Sequence, residues 1–300
     1  MNKPFVSIIM RSKNSDWVIG SALDALFSQD YTHFELLVVD SGSTDNTLKI
    51  VNEYPCRLVE IEASDYYPGK VLNDAISMTN SDIIVFLNSD SVMLSPKSLN
   101  NLIASFDSPE TAAAFGRQIP RPEAHTWVAR DYQVSFPQHG TSPDWISLSL
   151  PLAAIKRSVW DQHHFYTDSW ASEDTEWGEW ARKNGHKVQY IPDAVTMHSH
   201  NYTLKEIYGR RFVEGEADAF IYDRKSSFVS TIFNTLKSYV RDFTVHIKAN
   251  DLQGLFLIPI RRFVFHWAYF KGNQVGVNRI KTNNPDTRFG QRIVLSSATK

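Results

Sequence analysis

Apolar positions in the first ninety residues fall into short runs that stop abruptly at turn-forming residues. Residues 5–10, 34–39 and 83–87 are almost wholly apolar, and 57–60 is a shorter, mixed run. Runs of this length, bounded by turn signals, read as strands buried on both faces. Between them, apolar residues recur at helical spacing: Val18, Ile19, Ala22, Leu23 and Leu26 in one stretch, then residues 44–53 and 69–78. Ser15 or Asp16 is predicted to cap the first helix and Thr44 the second. Strands alternating with helices predict right-handed βαβ units and an α/β, mainly parallel, Rossmann-like sheet flanked by helices. Ligands of such sheets sit beyond the carboxyl ends of the strands. Asn88-Ser89-Asp90 follows the run 83–87 directly and is therefore predicted at the mouth of the sheet.

Further along, strands are predicted over 112–119, 147–155, 187–190 and 194–197, the last two separated by Pro192. Residues 120–147 are rich in Pro, His, Trp and Ser without periodicity and read as a long functional loop. A helix over 173–184 is closed by Gly185 as a left-handed cap. From residue 203 the pattern is helical: 203–224, 228–249 and 256–271, with Asn250-Asp251 and Gly272-Asn273 as breaks and a partly extended tail after Arg279. The division expected is an α/β domain over 1–202 and a helical C-terminal extension over 203–300.

Charge sharpens that division. Residues 1–202 hold 15 Lys and Arg against 25 Asp and Glu, whereas residues 203–300 hold 16 against 8. The basic part is also rich in aromatics. This suits an anionic surface, such as the inner face of the cytoplasmic membrane or a pyrophosphate-bearing acceptor; the alternative is a solvated basic helical region. No nucleic-acid partner is expected. Cys56 is the only cysteine, so no disulfide forms within the chain, and a reducing, cytoplasmic setting is expected. The apolar run 5–10 is too short for a signal peptide, and no stretch approaches the ~18 apolar residues of a membrane span.

Several residues carry recognisable chemistry. Asn88, Ser89 and Asp90 offer hard oxygen ligands for a divalent cation carrying a diphosphate. The Asp40 carboxylate, at the end of the second strand, can accept from the N3–H of uracil or thymine, or from a ribose hydroxyl. The plainer reading of Asp40-Ser41-Gly42-Ser43-Thr44 is a turn into a capped helix. Asp45 reads as support for that helix N-terminus.

The run Val6-Ser7-Ile8-Ile9-Met10, then Ile19-Gly20-Ser21-Ala22-Leu23, Ser28-Gln29-Asp30-Tyr31 and Phe34 through Asp45 resembles the opening of family 2 glycosyltransferases. The form Asp-Ser-Gly-Ser-Thr-Asp resembles its bacterial rhamnosyltransferase-like branch. The resemblance covers residues 5–90 and resumes near 150–215. It implies a GT-A fold, a divalent metal (Mn2+ or Mg2+), and inverting transfer from a UDP- or dTDP-sugar, dTDP-rhamnose included. The acceptor would be a hydroxyl of a glycan or lipid-linked glycan in bacterial surface polysaccharide synthesis. Carried over by position, Arg11, Ser12, Asn14 and Asp40 would line the nucleotide pocket, with Arg11 where relatives carry Pro. Lys70, at a helix start, would meet the diphosphate. Asn88-Ser89-Asp90 matches the family's Asp-x-Asp with Asn at the first position, so Asp90 would be the metal ligand and Asn88 a neutral oxygen donor. Glu173-Asp174 matches the base motif, with Asp174 taking the acceptor proton. His198, rather than His200, would join Asp90 on the metal or meet the diphosphate. Trp170 and Trp177 are the expected aromatic platforms for an acceptor sugar; the plain alternative is core packing.

Three other readings compete. A nucleotidyltransferase would need glycine near Arg11-Ser12-Lys13-Asn14, which has none, and a dinucleotide oxidoreductase would need Gly-x-Gly-x-x-Gly there. A degenerate, non-catalytic homologue that binds glycan or nucleotide is favoured by Asn88 and opposed by the intact Asp40, Asp90 and Glu173-Asp174.

Overall fold

The computed structural model describes residues 3–284, 286 and 288–297. The chain forms two compact units, one of Met1–Arg121, Tyr132–Phe165 and Asp174–Ser199, the other of Pro122–Asp131, Tyr166–Glu173 and His200–Lys300. The division expected near residue 202 lies close to one of the crossings, but residues 122–131 and 166–173 go with the helical unit.

In chain order the elements are β1 (Val6–Ser12), α1 (Ile19–Phe27), β2 (Phe34–Asp40), α2 (Thr47–Val51), β3 (Arg57–Glu60), α3 (Pro68–Ser77), β4 (Ile83–Leu87) and β5 (Val92–Met93). Then come α4 (Ser98–Ala104), β6 (Thr111–Ile119), α5 (Thr126–Ser135), β7 (Leu152–Lys156), α6 (Arg157–Trp160), α7 (Glu173–Lys183) and β8 (Lys187–Met197). The eight strands form one sheet in the order β3-β2-β1-β4-β7-β6-β8-β5. β3, β2, β1 and β4 run parallel, β7 is antiparallel to β4 and β6, and β6 pairs parallel with β8. The sheet is thus mixed, with its parallel half where the βαβ pattern was legible.

Alternate residues of β1, β2 and β4 supply opposite faces, which is why these strands are apolar throughout. Ile9, Leu37 and Phe86 pack with Leu72 and Ile76 of α3 and Trp177 of α7. Ile8, Val38 and Val85 pack on the other face with Leu23 and Leu26 of α1 and Leu99 of α4.

Local expectations needed correction in several places. α1 starts after Val18 with no side-chain cap, so neither Ser15 nor Asp16 caps it. Thr44 does not cap α2; instead Asp45 Oδ1 accepts from the Thr47 N–H at 3.0 Å. Burial raises the Asp45 pKa, but hydrogen bonds from Thr47 and Asp16 outweigh it and leave the carboxyl below its usual range. The stretch read as a loop contains α5. The strand expected over 147–155 is shorter, Leu152–Lys156. The two strands around Pro192 are one, β8, whose register against β6 slips between Gly116 and Arg117. Pro192 cannot donate to the ladder, so the strand bulges instead of ending. Gly116 accommodates the bulge, since a Cβ there would lie 2.4 Å from the Ala194 carbonyl oxygen.

The helical unit contains α8 (Leu204–Tyr222), α9 (Phe228–Lys248), α10 (Leu252–Thr282) and α11 (Arg288–Ser297). Capping boxes start α8 (Thr203 with Glu206) and α9 (Ser227 with Ser230). The tail expected to be extended carries α11, where Phe289 packs on Phe212 with ring centroids 5.8 Å apart. The break expected at Gly272-Asn273 is absent, because those residues make a helix crossing. A Cβ on Gly272 would lie 1.8 Å from the Phe212 oxygen, and one on Gly215 2.1 Å from the Tyr269 oxygen. Asn273 donates to the Gly215 and Arg224 carbonyls at 3.2 and 3.0 Å and accepts from the Ser226 N–H at 2.7 Å. Gly272→Val is therefore expected to force α8 and α10 apart and cost about 1–3 kcal/mol or more, read as a lower urea midpoint. An unchanged midpoint would mean that this contact is not tight.

Candidate active site

The parallel half of the sheet brings three loops to one edge. Register pairs Ser12, the last residue of β1, with Asp40, the last residue of β2, and β4 ends beside them at Leu87. The loops are stitched together. Asn14, with a left-handed φ of 46°, accepts from the Thr44 N–H through Oδ1 at 2.8 Å, and its own N–H donates to Ser43 Oγ at 2.8 Å. The Ser41 N–H and hydroxyl both donate to the Ser12 carbonyl, at 3.0 and 3.2 Å. Ser15 Oγ meets Ser89 Oγ at 2.8 Å.

Asp40 is buried, and its two carboxylate oxygens accept from the Ser43 N–H and hydroxyl at 2.7 and 2.6 Å. Its first role is therefore to shape the turn around Gly42, whose φ is 80°. Any contact with a nucleoside would use the remaining lone pairs of those oxygens. Arg11 directs its guanidinium to the Tyr66 hydroxyl at 3.5 Å. The buried Ser12 hydroxyl has no hydrogen-bond partner among the described residues. Asn88 begins a tight turn: its N–H donates to the Pro151 carbonyl at 3.3 Å, and its carbonyl accepts from the Ser91 N–H at 3.0 Å. Lys70, in the first turn of α3, is exposed and ion-paired with Asp74 one helical turn on.

Asp90 and His198 are more than a hundred residues apart and meet through one strand pairing. β5 runs antiparallel to β8 with Val92 opposite Met197, so the residues just before β5 lie beside those just after β8. His198 Nε2 stands 3.6 Å from Asp90 Oδ2. His198 Nδ1 lies 2.9 Å from Gln118 Oε1, and Gln118 Nε2 donates to Ser149 Oγ at 2.8 Å. The Tyr132 hydroxyl lies 3.3 Å from the same Nδ1. Nε2 faces the carboxylate, and a carboxylate oxygen and an imidazole nitrogen facing each other at this distance could hold one divalent cation, with Gln118 and Tyr132 positioning the ring from its other side. His200 follows two residues after His198 and opens the last segment of the helical unit. The donor set fits a hard or borderline ion such as Mn2+ or Mg2+.

Arg121, two residues past the end of β6, is a site residue the sequence reading missed. Its Nη2 donates to the Asp90 carbonyl at 2.6 Å, its backbone N–H donates to Ser199 Oγ at 2.9 Å, and its guanidinium lies 4.7 Å from the Trp17 ring centre. It places a guanidinium beside the Asp90 backbone. Gln118 was missed as well. Both lie near the carboxyl end of a strand, the signal that singled out Asp90, but residues 120 onward were read as an unstructured loop.

Glu173 and Asp174 open α7 after Ser172, whose φ of 66° is left-handed. Asp174 Oδ1 accepts from the Thr175 N–H at 2.7 Å. The helix is firmly seated, because a Cβ on Gly178 would lie 2.7 Å from the Ser147 backbone and His163 Nε2 meets Glu176 at 3.0 Å. The two tryptophans expected as sugar platforms are both buried. Trp177 is 0% exposed and donates from Nε1 to the His163 carbonyl at 2.8 Å. Trp170 is buried in the helical unit, where its Cβ lies 3.4 Å from the position of a Cβ on Gly290. Aromatic spacing cannot distinguish a core residue from a platform, and here both positions are core.

The mixed sheet, with the Asp40 turn and the Asp90–His198 pair at its carboxyl edge, has the GT-A architecture. Solved structures agree on the fold. The mannosyltransferase PcManGT from Pyrobaculum calidifontis, solved with GDP-Man and Mn2+, superposes with a TM-score of 0.64 at 19% identity, covering 94% of this chain and 89% of that one. TarS residues 1–349 from S. aureus superposes with a TM-score of 0.56 at 19% identity, covering 93% and 92%. The family model for glycosyl transferase family 2 matches residues 7–176. The O-antigen chain rhamnosyltransferase RfbN of Salmonella typhimurium is 30% identical over 223 residues, 70% of this chain and 71% of that protein. The O-antigen chain rhamnosyltransferase WbaN of Salmonella anatum is 29% identical over 193 residues, 60% of this chain and 61% of that protein. The chain belongs to glycosyl transferase family 2.

Proposed function

We propose that this chain transfers a sugar, with inversion, from a UDP- or dTDP-sugar to a hydroxyl of a glycan or lipid-linked glycan during bacterial surface polysaccharide synthesis, dTDP-rhamnose being the leading donor. The observation that carries this reading is the facing pair of Asp90 Oδ2 and His198 Nε2, 3.6 Å apart, with His198 Nδ1 2.9 Å from Gln118 Oε1. The rhamnosyl assignment is supported by similarity to two O-antigen chain rhamnosyltransferases. A divalent cation bound by Asp90 and His198 would supply charge neutralisation for the leaving diphosphate. Arg121 adds a positive charge that needs no reorganisation when that leaving group departs. Asp40 and Gly42 shape the turn that receives the nucleoside. Asp174 orients and deprotonates the acceptor hydroxyl, and Glu173 assists in acceptor binding.

The test is thermal unfolding of the purified chain with UDP, dTDP, GDP and CMP, each with and without Mn2+. UDP or dTDP is expected to raise Tm, and Mn2+ to enlarge the rise; a ligand at about 100 times its Kd adds about 2.7 kcal/mol. His198→Ala is expected to lose the Mn2+-dependent part and keep the nucleotide part. No response to any nucleotide would overturn the reading. A response to GDP alone would replace the donor.

A further inference from the structure

The α9–α10 hairpin of the helical unit is built inside out. The buried residues of α9 are Thr231, Ser238, Asp242 and His246, all polar, at the spacing of a single helix face. The opposite face carries Phe228, Val229, Phe233, Leu236, Val240 and Phe243, every one exposed, Val229 by 77%. The first half of α10 repeats the inversion. Arg261 and Arg262 are buried beside Ile258, while Leu252, Phe256, Leu257, Ile260 and Phe263 are exposed, Phe256 by 85%.

The inward face is held by polar contacts. Arg262 makes a bidentate pair with Asp242 at 2.6 and 3.0 Å, Ser238 Oγ meets His266 Nε2 at 2.9 Å, and His246 Nδ1 meets the Asp242 carbonyl at 2.8 Å. Burial first, then Arg211, Arg262 and Arg241, hold the His266 pKa down at about 4, so the ring is neutral at physiological pH. In water, the hydrophobic effect would turn such a helix over and hide its phenylalanines. An apolar exterior over a polar interior whose main groups are paired, with His246 Nε2 and Arg261 Nε left without a hydrogen-bond partner among the described residues, is an arrangement that suits an apolar surrounding medium.

The charges indicate which medium. Residues 224–272 contain eight Lys and Arg and two acids, Asp242 and Asp251. Asp242 is spent on Arg262, and Asp251 caps α10 through the Gly254 N–H and accepts from Thr126 Oγ1 at 2.8 Å. Arg224, Lys225, Lys237, Lys248 and Lys271 remain at the surface, all positive. A second copy apposed through the same face would bring like charges together around a two-fold axis. An anionic surface would not. Among the described residues no helix is long and apolar enough to cross a membrane.

We infer that the α9–α10 hairpin is a membrane seat. Its apolar face lies in the plane of an anionic lipid bilayer, inserted to headgroup depth, with its lysines against the phosphates. It binds without spanning the bilayer. The inference uses nothing of the donor site, so either can fail alone.

The test is co-sedimentation of the full chain with phosphatidylcholine vesicles, alone and mixed with phosphatidylglycerol, without donor or acceptor. Strong binding to the mixed vesicles and weaker binding to the neutral ones is expected. The triple variant Phe233→Ser, Leu236→Ser, Phe256→Ser should weaken partition about tenfold or more on both vesicle types. Lys237→Glu with Lys248→Glu should remove the preference for anionic vesicles and leave the weak neutral binding. Circular dichroism and the urea unfolding midpoint serve as controls that both variants fold. Wild-type partition by the triple variant would overturn the inference. So would absence of vesicle binding by the wild type, whether it sediments as a monomer or as an oligomer that the triple variant dissociates; the oligomer would make the face a contact between copies.

Discussion

Asp174→Asn is expected to leave donor binding intact and to lower turnover by about two to four orders of magnitude, the usual contribution of a positioned general base. The substitution tests chemistry rather than structure. Asp174 Oδ1 accepts from the Thr175 N–H at 2.7 Å, and an asparagine oxygen can accept the same bond. The helix beneath is also held by other contacts, since Trp177 is fully buried and Gly178 sits against the Ser147 backbone. What the amide loses is basicity. The expected result is an unchanged Tm shift with UDP or dTDP and Mn2+, together with a collapsed rate of sugar transfer. Glu173→Gln should act more through KM than through kcat if Glu173 binds the acceptor. Wild-type turnover by Asp174→Asn would move the proton to another group.

The second large effect concerns stability. Asp242→Ala is expected to cost about 3–5 kcal/mol, because it leaves a buried arginine without its bidentate partner. Arg262 and the Asp242 side chain are each 1% exposed, and Arg241 also reaches Asp242 at 3.2 Å. Once Asp242 is removed, the two guanidinium groups share Asp131, at 3.5 Å from Arg262 and 3.9 Å from Arg241. The double variant Asp242→Leu, Arg262→Met should recover most of that loss, since replacing both members of a buried pair by apolar groups is often neutral or better. Urea unfolding of the wild type, both single variants and the double variant completes the cycle. A single-variant cost below about 1 kcal/mol would mean that water reaches the pair.

How much of this was legible in the sequence depends on how far apart the cooperating residues lie. The run 83–87 placed Asn88, Ser89 and Asp90 at the sheet edge because strand burial and the βαβ rule are local properties. Asp40 was legible for the same reason, although its capture by Ser43 was not, because that turns on rotamers inside one turn. His198 was chosen through a resemblance. Its meeting with Asp90 depends on the pairing of a two-residue strand, Val92–Met93, which periodicity cannot detect. Gln118 and Arg121 stayed hidden because their importance lies in what they touch. Trp177 and Gly272 failed in opposite directions: a residue read as exposed chemistry is core, and one read as a break is a contact. The excess of basic and aromatic residues after 203 was visible, but its inversion was not, because the periodicity of α9 shows two faces without saying which one packs.

The chain passes between its two units five times, at residues 121/122, 131/132, 165/166, 173/174 and 199/200. Within the helical unit, residues 122–131 are tied to the C-terminal part by Thr126 to Asp251 at 2.8 Å and His125 to Asn201 at 2.8 Å. Residues 166–173, which lead directly into the acidic pair of α7, are tied to it by Arg279 donating to the Asp168 carbonyl at 2.9 Å. The helical part is therefore not a removable cassette. A chimera joined near residue 200, with the C-terminal third of another transferase, would inherit two segments fitted to the wrong partner, one of them next to the proposed base. Exchanges that preserve activity should move residues 122–131 and 166–173 together with everything after 200, so that these three pieces are inherited as one.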